Sequence, residues 1–235
     1  MKKPGGTPCF LIATAIALLA IPVIWPRIDL IMAAWFYKPG EGFYLSEYPA
    51  FNFFHEASYY GARLLGISLA MAAFIAGLRH RPLAGVTMKG WLFLLLALMI
   101  GPGLVGNALL KDHWGRARPR EVTEFAGNAA FSPVYAPQPD AHRNESFIAG
   151  DAAFGFYLTS FAYVVPAGAS RRRTFGIGIL AGALLGVVRI AMGAHFLSDV
   201  LYAGFFMLAS IAAVYAAMFG RKETRDCWRD FTGGA

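Results

Sequence analysis

The chain has 235 residues, is 57% hydrophobic and has a mean hydropathy of +0.49. Charged residues make up only 15% and the formal net charge is +7, whereas a soluble domain carries about a quarter charged residues. These values point away from a soluble domain and toward a one-domain integral membrane protein.

Six apolar runs follow in chain order, at 10–26, 60–78, 91–110, 148–167, 175–194 and 197–219, one of them slightly interrupted. Each approaches the 17–25 residues that a helix needs to cross roughly 30 Å of hydrocarbon. None alternates like a barrel strand, so the expected fold is all-α, a six-transmembrane helix bundle whose helices satisfy their own backbone hydrogen bonds in lipid. The first run continues through Ile21, Pro22, Val23 and Ile24 without a small-residue cleavage site, so it reads as a retained span rather than a signal peptide.

Lys and Arg set the expected orientation. With the N-terminus in the cytoplasm, Lys2, Lys3, Arg79, Arg81, Lys89, Arg171, Arg172, Arg173, Arg221, Lys222, Arg225 and Arg229 all lie inside. Only Glu223, Asp226 and Asp230 of the 14 acids share that side. Both termini are then cytoplasmic. Cys9 and Cys227 fall near that reducing face, where no structural disulfide is expected, and two distant cysteines make no zinc or haem spacing.

Two long loops remain on the other side. The first, about 27–59, holds Trp35, Phe36, Tyr37, Phe43, Tyr44, Phe51, Phe53 and Phe54. Residues 27–38 can form a short interfacial helix, but most of these rings read as an aromatic belt. The second, 111–145, carries Lys111, Arg116, Arg118, Arg120 and Arg143 on the side that should be poor in positive charge. An anionic ligand would explain the exception; so would a solvated loop balanced by Asp112, Glu121, Glu124, Asp140 and Glu145.

Alternating topology brings three stretches to that same face: KDHWGRARPR, SFIAGD and RIAMGAHFLSD. In the last, His195 and Asp199 are four apart, a spacing that shares one helical face. A carboxylate on one ring nitrogen fixes the tautomer and leaves the other nitrogen as nucleophile or base. Arg189 lies at the end of an apolar run, where an arginine points to function. Lys111 and Arg118 are seven apart and project alike if the helix persists, although Pro119 should break it. Arg and Lys grip phosphate oxygens. Arg116 and Arg120 are explained about as well by salt bridges to Glu121 or Glu124. A helix starting near Ile148 would leave the N–H groups around Ala149, Gly150 and Asp151 free, with Ser146 as cap, and such an end cradles phosphate.

At these residues the chain resembles the type-2 phosphatidic acid phosphatases, membrane relatives of the vanadium haloperoxidases. Lys111 through Arg118-Pro119 matches the family's first motif. Arg189, His195 and Asp199 match the third, with Val188 where a serine is usual. The second motif, normally Pro-Ser-Gly-His, is Ile148-Ala149-Gly150-Asp151 here, so only the glycine agrees. The resemblance covers the part from the third run onward, a motif-bearing core at about 91–219 within a single domain, 1–235.

The resemblance implies that His195 attacks phosphorus and forms a phosphohistidine. Asp199 would orient it, while Lys111, Arg118 and Arg189 hold the phosphate with the backbone of Ala149 and Gly150. No metal or other cofactor is implied. Asp151 stands where relatives keep a proton-donating histidine. It is either an acid, the preferred reading, or a carboxylate that orders the arginines; His113, His142 and Glu145 are other candidate acids. A sugar 1-phosphate, with a low-pKa leaving group, would need less acid assistance.

The resemblance extends to a subgroup acting on the 1-phosphate of lipid A. The expected protein is therefore a bacterial inner-membrane phosphatase with a periplasm-facing site. Its partners are the bilayer and a phospholipid or lipid A substrate, with no nucleic acid and no obligate protein partner. Phosphatidylglycerophosphate, phosphatidate and undecaprenyl diphosphate are alternative substrates. A catalytically weak relative that only binds anionic lipid is an alternative of another class. A flippase would more often carry its polar groups near the midplane.

Overall fold

A computed structural model describes residues 6–138 and 146–232. Among these residues the chain is helical, with isolated bridges but no strand. Helix α1 (Gly6–Ile24) bends by 94° into α2 (Arg27–Ala34). Then come α3 (Pro49–Arg79), α4 (Met88–Leu98) with a π-helical continuation (Met99–Lys111), and the single turn α5 (Asp112–Trp114). Helices α6 (Gly150–Tyr157), α7 (Ala169–Ala191), α8 (Leu197–Phe219) and α9 (Arg221–Phe231) complete the order.

Among the described residues four helices are long and apolar enough to cross a membrane: α3, α4 with its continuation, α7 and α8. The bent pair α1–α2 brings the number to five if it counts as one span. The expected fourth run behaves differently. After Tyr157 the helix tightens into a 3-10 segment, Leu158–Tyr163, and stops before Pro166. Most of α6 is buried inside the protein, so its apolar character reflects core rather than lipid. Large aliphatic side chains instead face outward from α3 (Leu64, Ile67, Leu78) and α7 (Ile177, Leu180, Leu184). Outward apolar faces of this extent suit a hydrocarbon solvent, not water.

The two supposed loops also acquire structure. Residues 49–59 are the first turns of α3, which at 31 residues is about 46 Å long and overreaches a bilayer core of roughly 30 Å. Tyr37 and Phe43 do not join an aromatic belt. They pack with Phe125 of the second loop, ring centroids 5.1–5.4 Å apart. Trp35, Phe53 and Phe54 are exposed, as a belt requires. The packed loops form a small cap of Ala33, Phe43, Ala117, Val122, Phe125 and Phe196 over the ends of α7 and α8.

Close helix contact rests on glycines of α7. A Cβ at Gly155 of α6 would lie 2.6 Å from the Gly182 backbone, and one at Gly178 would lie 2.5 Å from the Thr159 nitrogen. A Cβ at Gly182 would collide with the Phe156 ring, and one at Gly186 with Val200 of α8. Spaced four apart, these glycines make one face of α7 on which backbones approach as in small-residue membrane packing. Gly182→Leu should therefore abolish a monodisperse folded protein in detergent size-exclusion chromatography. Gly176→Ala, whose Cβ meets nothing within 4 Å, should leave the elution profile and thermal midpoint unchanged or slightly improved.

Candidate active site

The site lies where α6, α7, α8 and the second loop meet. Its buried centre is Arg116. Glycine at 115 adopts φ +64° and ends α5, so the helix does not persist to Arg118. The chain turns inward and buries the Arg116 side chain completely. Nη2 donates to Asp29 Oδ2 at 2.8 Å, and Nη1 donates to Asp199 Oδ1 at 2.5 Å and Ser198 Oγ at 2.7 Å. Nε donates to the Ser132 carbonyl at 3.0 Å, and the guanidinium lies 4.5 Å from the Phe196 ring centre. Burial works against its charge, but Asp199 and Asp29 outweigh that and hold its pKa above the ordinary value. Arg116 is thus bound to neither Glu121 nor Glu124. Asp29 of α2, itself fully buried, also accepts the Ser198 N–H at 2.8 Å and so caps α8 from another helix.

His195 sits in the turn before α8, not on the helix with Asp199. Its Nδ1 is 3.9 Å from Asp199 Oδ2 but 2.6 Å from the Ser146 carbonyl. Ser146 Oγ in turn donates to Asp199 Oδ2 at 2.6 Å, and the Phe196 N–H donates to the same oxygen at 2.7 Å. Asp199 therefore reaches the histidine through Ser146. Because a carbonyl can only accept, Nδ1 carries the proton and Nε2 keeps the lone pair. Burial, then the positive charges of Arg189, Arg118 and Lys111, push His195 well below its ordinary pKa against the pull of the Ser146 carbonyl. The structure thereby brings Lys111, Arg118 and Arg189 to bear on one neutral imidazole. Arg120 belongs to the same cluster: its backbone N–H donates to the Gly193 carbonyl at 3.0 Å, and burial and the charge of Arg118 lower its pKa. Gly193 holds that turn at φ +63°, and a Cβ there would strike the Phe43 ring.

Helix α6 starts at Gly150, two residues beyond the expected Ile148, with Ala149 as its N-cap residue. Ser146 is not the cap, being engaged by Asp199. The Ala149 N–H is not free either, since it donates to the Asp199 carbonyl at 3.3 Å. A Cβ at Gly150 would meet open space, so the backbone there is approachable.

Asp151 is held on both oxygens. Oδ1 accepts from Ser58 of α3. Oδ2 lies 2.9 Å from His55 Nδ1, also on α3, and 2.8 Å from Arg189 Nε. Asp151 thus joins the start of α6 to α3 and to the end of α7. Among the other candidate acids, His113 is exposed at the end of α5, whereas His142 and Glu145 lie outside the described residues. No cluster of three metal-ligating side chains occurs among the described residues.

Asp29, His55, Ser58 and the central place of Arg116 escape a reading by motif. Asp29 and His55 stand close to other polar residues, Arg27 and Glu56, so no local signal in the sequence singles them out.

Fold and site define a helical membrane protein with a cationic cluster arranged around a histidine that keeps its lone pair. The PAP2 superfamily profile matches residues 90–223, and the chain belongs to that superfamily. Three similar curated relatives are lipid A 4'-phosphatases. That of Francisella tularensis subsp. novicida (strain U112) is 34% identical over 212 residues, 86% of this chain and 90% of the relative. That of Rhizobium leguminosarum is 32% identical over 55% of each chain, and that of Rhizobium etli 33% over 55% of this chain and 50% of its own. No solved structure gives a significant match. The protein is an integral membrane phosphoric monoester hydrolase of the lipid phosphatase class. The expected likeness to 1-phosphatases is corrected by these relatives, which are named for the 4' position.

Two outcomes are expected. Arg116→Ala leaves two buried carboxylates without their cation and should cost about 3–5 kcal/mol, seen as a large loss of thermal midpoint in detergent. The His195 ring, held neutral in the folded protein, should show no NMR titration near about pH 6.5, where an unperturbed histidine titrates. Its folded pKa being depressed, His195 lowers stability as pH falls below that unfolded value.

Proposed function

We propose that the chain removes the 4'-phosphate of lipid A, or of a closely related glycolipid, at the periplasmic face of the bacterial inner membrane. The observation that carries the chemistry is the His195 tautomer: Nδ1–H is fixed on the Ser146 carbonyl at 2.6 Å within the field of three cations. The substrate is suggested by the relative that spans 86% of this chain.

In this mechanism the phosphoryl group binds between Lys111, Arg118 and Arg189, beside the open backbone at Gly150. Preorganised cations of this kind stabilise charge that spreads over phosphoryl oxygens. His195 Nε2 attacks phosphorus and forms a phosphohistidine, and water then cleaves the N–P bond. Asp199 is a positioning residue: through Ser146 it sets the carbonyl that orients the imidazole. Asp151 orders Arg189 by pairing with its Nε, so the role first preferred for it, proton donor, passes to another group.

Purified protein in detergent should release phosphate from lipid A bearing both phosphates, and mass spectrometry should show loss at the 4' position with the 1-phosphate retained. His195→Ala should reduce the rate by roughly a thousand-fold or more, as removal of a covalent nucleophile does. Retained turnover in that variant would overturn the mechanism. Loss of the 1-phosphate, or hydrolysis of phosphatidate alone, would overturn the substrate.

A further inference from the structure

A 4'-phosphate is esterified to an ordinary sugar hydroxyl, a far more basic leaving group than an anomeric one. Its departure requires a proton from the enzyme. Asp151, with both oxygens engaged by Ser58, His55 and Arg189, does not supply it.

We propose that His55, reaching the site from the overlong N-terminal end of α3, is the catalytic acid that protonates the leaving oxygen, held in place by Asp151. The inference rests on the preceding reading that His195 is the nucleophile toward a lipid phosphate. Three observations carry it. His55 Nδ1 lies 2.9 Å from Asp151 Oδ2, so a proton on Nδ1 is committed to that carboxylate and Nε2 is the end left for transfer. The same carboxylate oxygen lies 2.8 Å from Arg189 Nε, which ties the His55 ring to the phosphate-binding cluster. The His55 side chain is 43% exposed while that of Asp151 is 10% exposed, so the histidine is the open end of the pair and the carboxylate its buried support. The placement needs two helices. Asp151 starts α6, and His55 with Ser58 lies on the part of α3 that precedes its apolar run.

The proton accounting closes. In the first step the His195 Nε2 lone pair forms the N–P bond. The ester O–P bond breaks with its electrons on the sugar oxygen, which takes the proton from His55 Nε2. In the second step a water oxygen attacks phosphorus, and the N–P electrons return to His195. The water proton goes to His55 Nε2, which restores the starting state.

The test compares two lipid-phase substrates that differ in leaving group: 4'-phosphorylated lipid A and an acyl-chain-bearing nitrophenyl phosphate, whose phenolate leaves without a proton. His55→Gln should lose about 10²–10⁴-fold in kcat/KM on lipid A, the range general acid catalysis contributes. It should keep kcat/KM on the nitrophenyl ester, which reports only formation of the phosphohistidine, within a few-fold, while the shared second step slows for both substrates. His55→Ala should behave alike, and added imidazole should restore its turnover of lipid A. A wild-type thermal midpoint in both variants separates chemistry from misfolding. Equal losses of kcat/KM on both substrates, or none on lipid A, would overturn the role of His55. Should His195→Ala keep turnover of both esters, it is the nucleophile reading that falls instead.

Discussion

The forked contact of Arg116 with Asp29 and Asp199 is the interaction on which the site depends. One planar guanidinium gathers α2, the second loop and the first turn of α8, and its donors are spread in a way that a lysine ammonium cannot match. From there the order passes outward. Asp199, fixed by Arg116 on one oxygen, uses the other to hold Ser146 Oγ and the Phe196 N–H, and the Ser146 carbonyl then sets the His195 ring. The orientation of the histidine is thus decided two contacts away from it. Desolvation of such a cluster is costly, and an apolar replacement of the whole group can be as stable. What apolar residues could not supply is register, because they carry no directional bond to Ser146.

Burial and positive charge act in the same direction on His195, and both favour the neutral ring. An anionic phosphate in the cluster opposes the second of these influences, so the ring is most strongly held as a free lone pair before substrate arrives. Lys111, Arg118 and Arg189 cannot neutralise each other. Asp151 lies 2.8 Å from Arg189 Nε and gives that guanidinium a counter-charge.

Where the first and third motifs stand in the sequence, the spacing of chemistry-bearing residues was legible. Lys111, Arg118, Arg189 and His195 do converge. The reason each converges was not. A four-residue spacing puts His195 and Asp199 on one face only if both are helical, and the chain enters α8 two residues after His195. A helical projection of Lys111 and Arg118 fails at Gly115. The apolar run at 148–167 reads as a span because composition does not distinguish a helix buried in protein from one bathed in lipid. Long-range partners were beyond any local pattern: Asp29 meets Ser198 across 169 positions, and His55 meets Asp151 across 96.

That last pair explains why the departure at the second motif is not a simple loss. A histidine at position 151 would place its ring against the Arg189 guanidinium and would leave Ser58 and His55 without the carboxylate they share. Aspartate there gives Arg189 a counter-charge and creates an anchor that the extended end of α3 can reach. Aspartate at 151 and the first turns of α3 are therefore one physical arrangement, in which each helix fixes a side chain of the other. A carboxylate at the start of an apolar helix is costly in isolation. Between an arginine, a serine and a histidine it is the fixed point from which two helices are aligned.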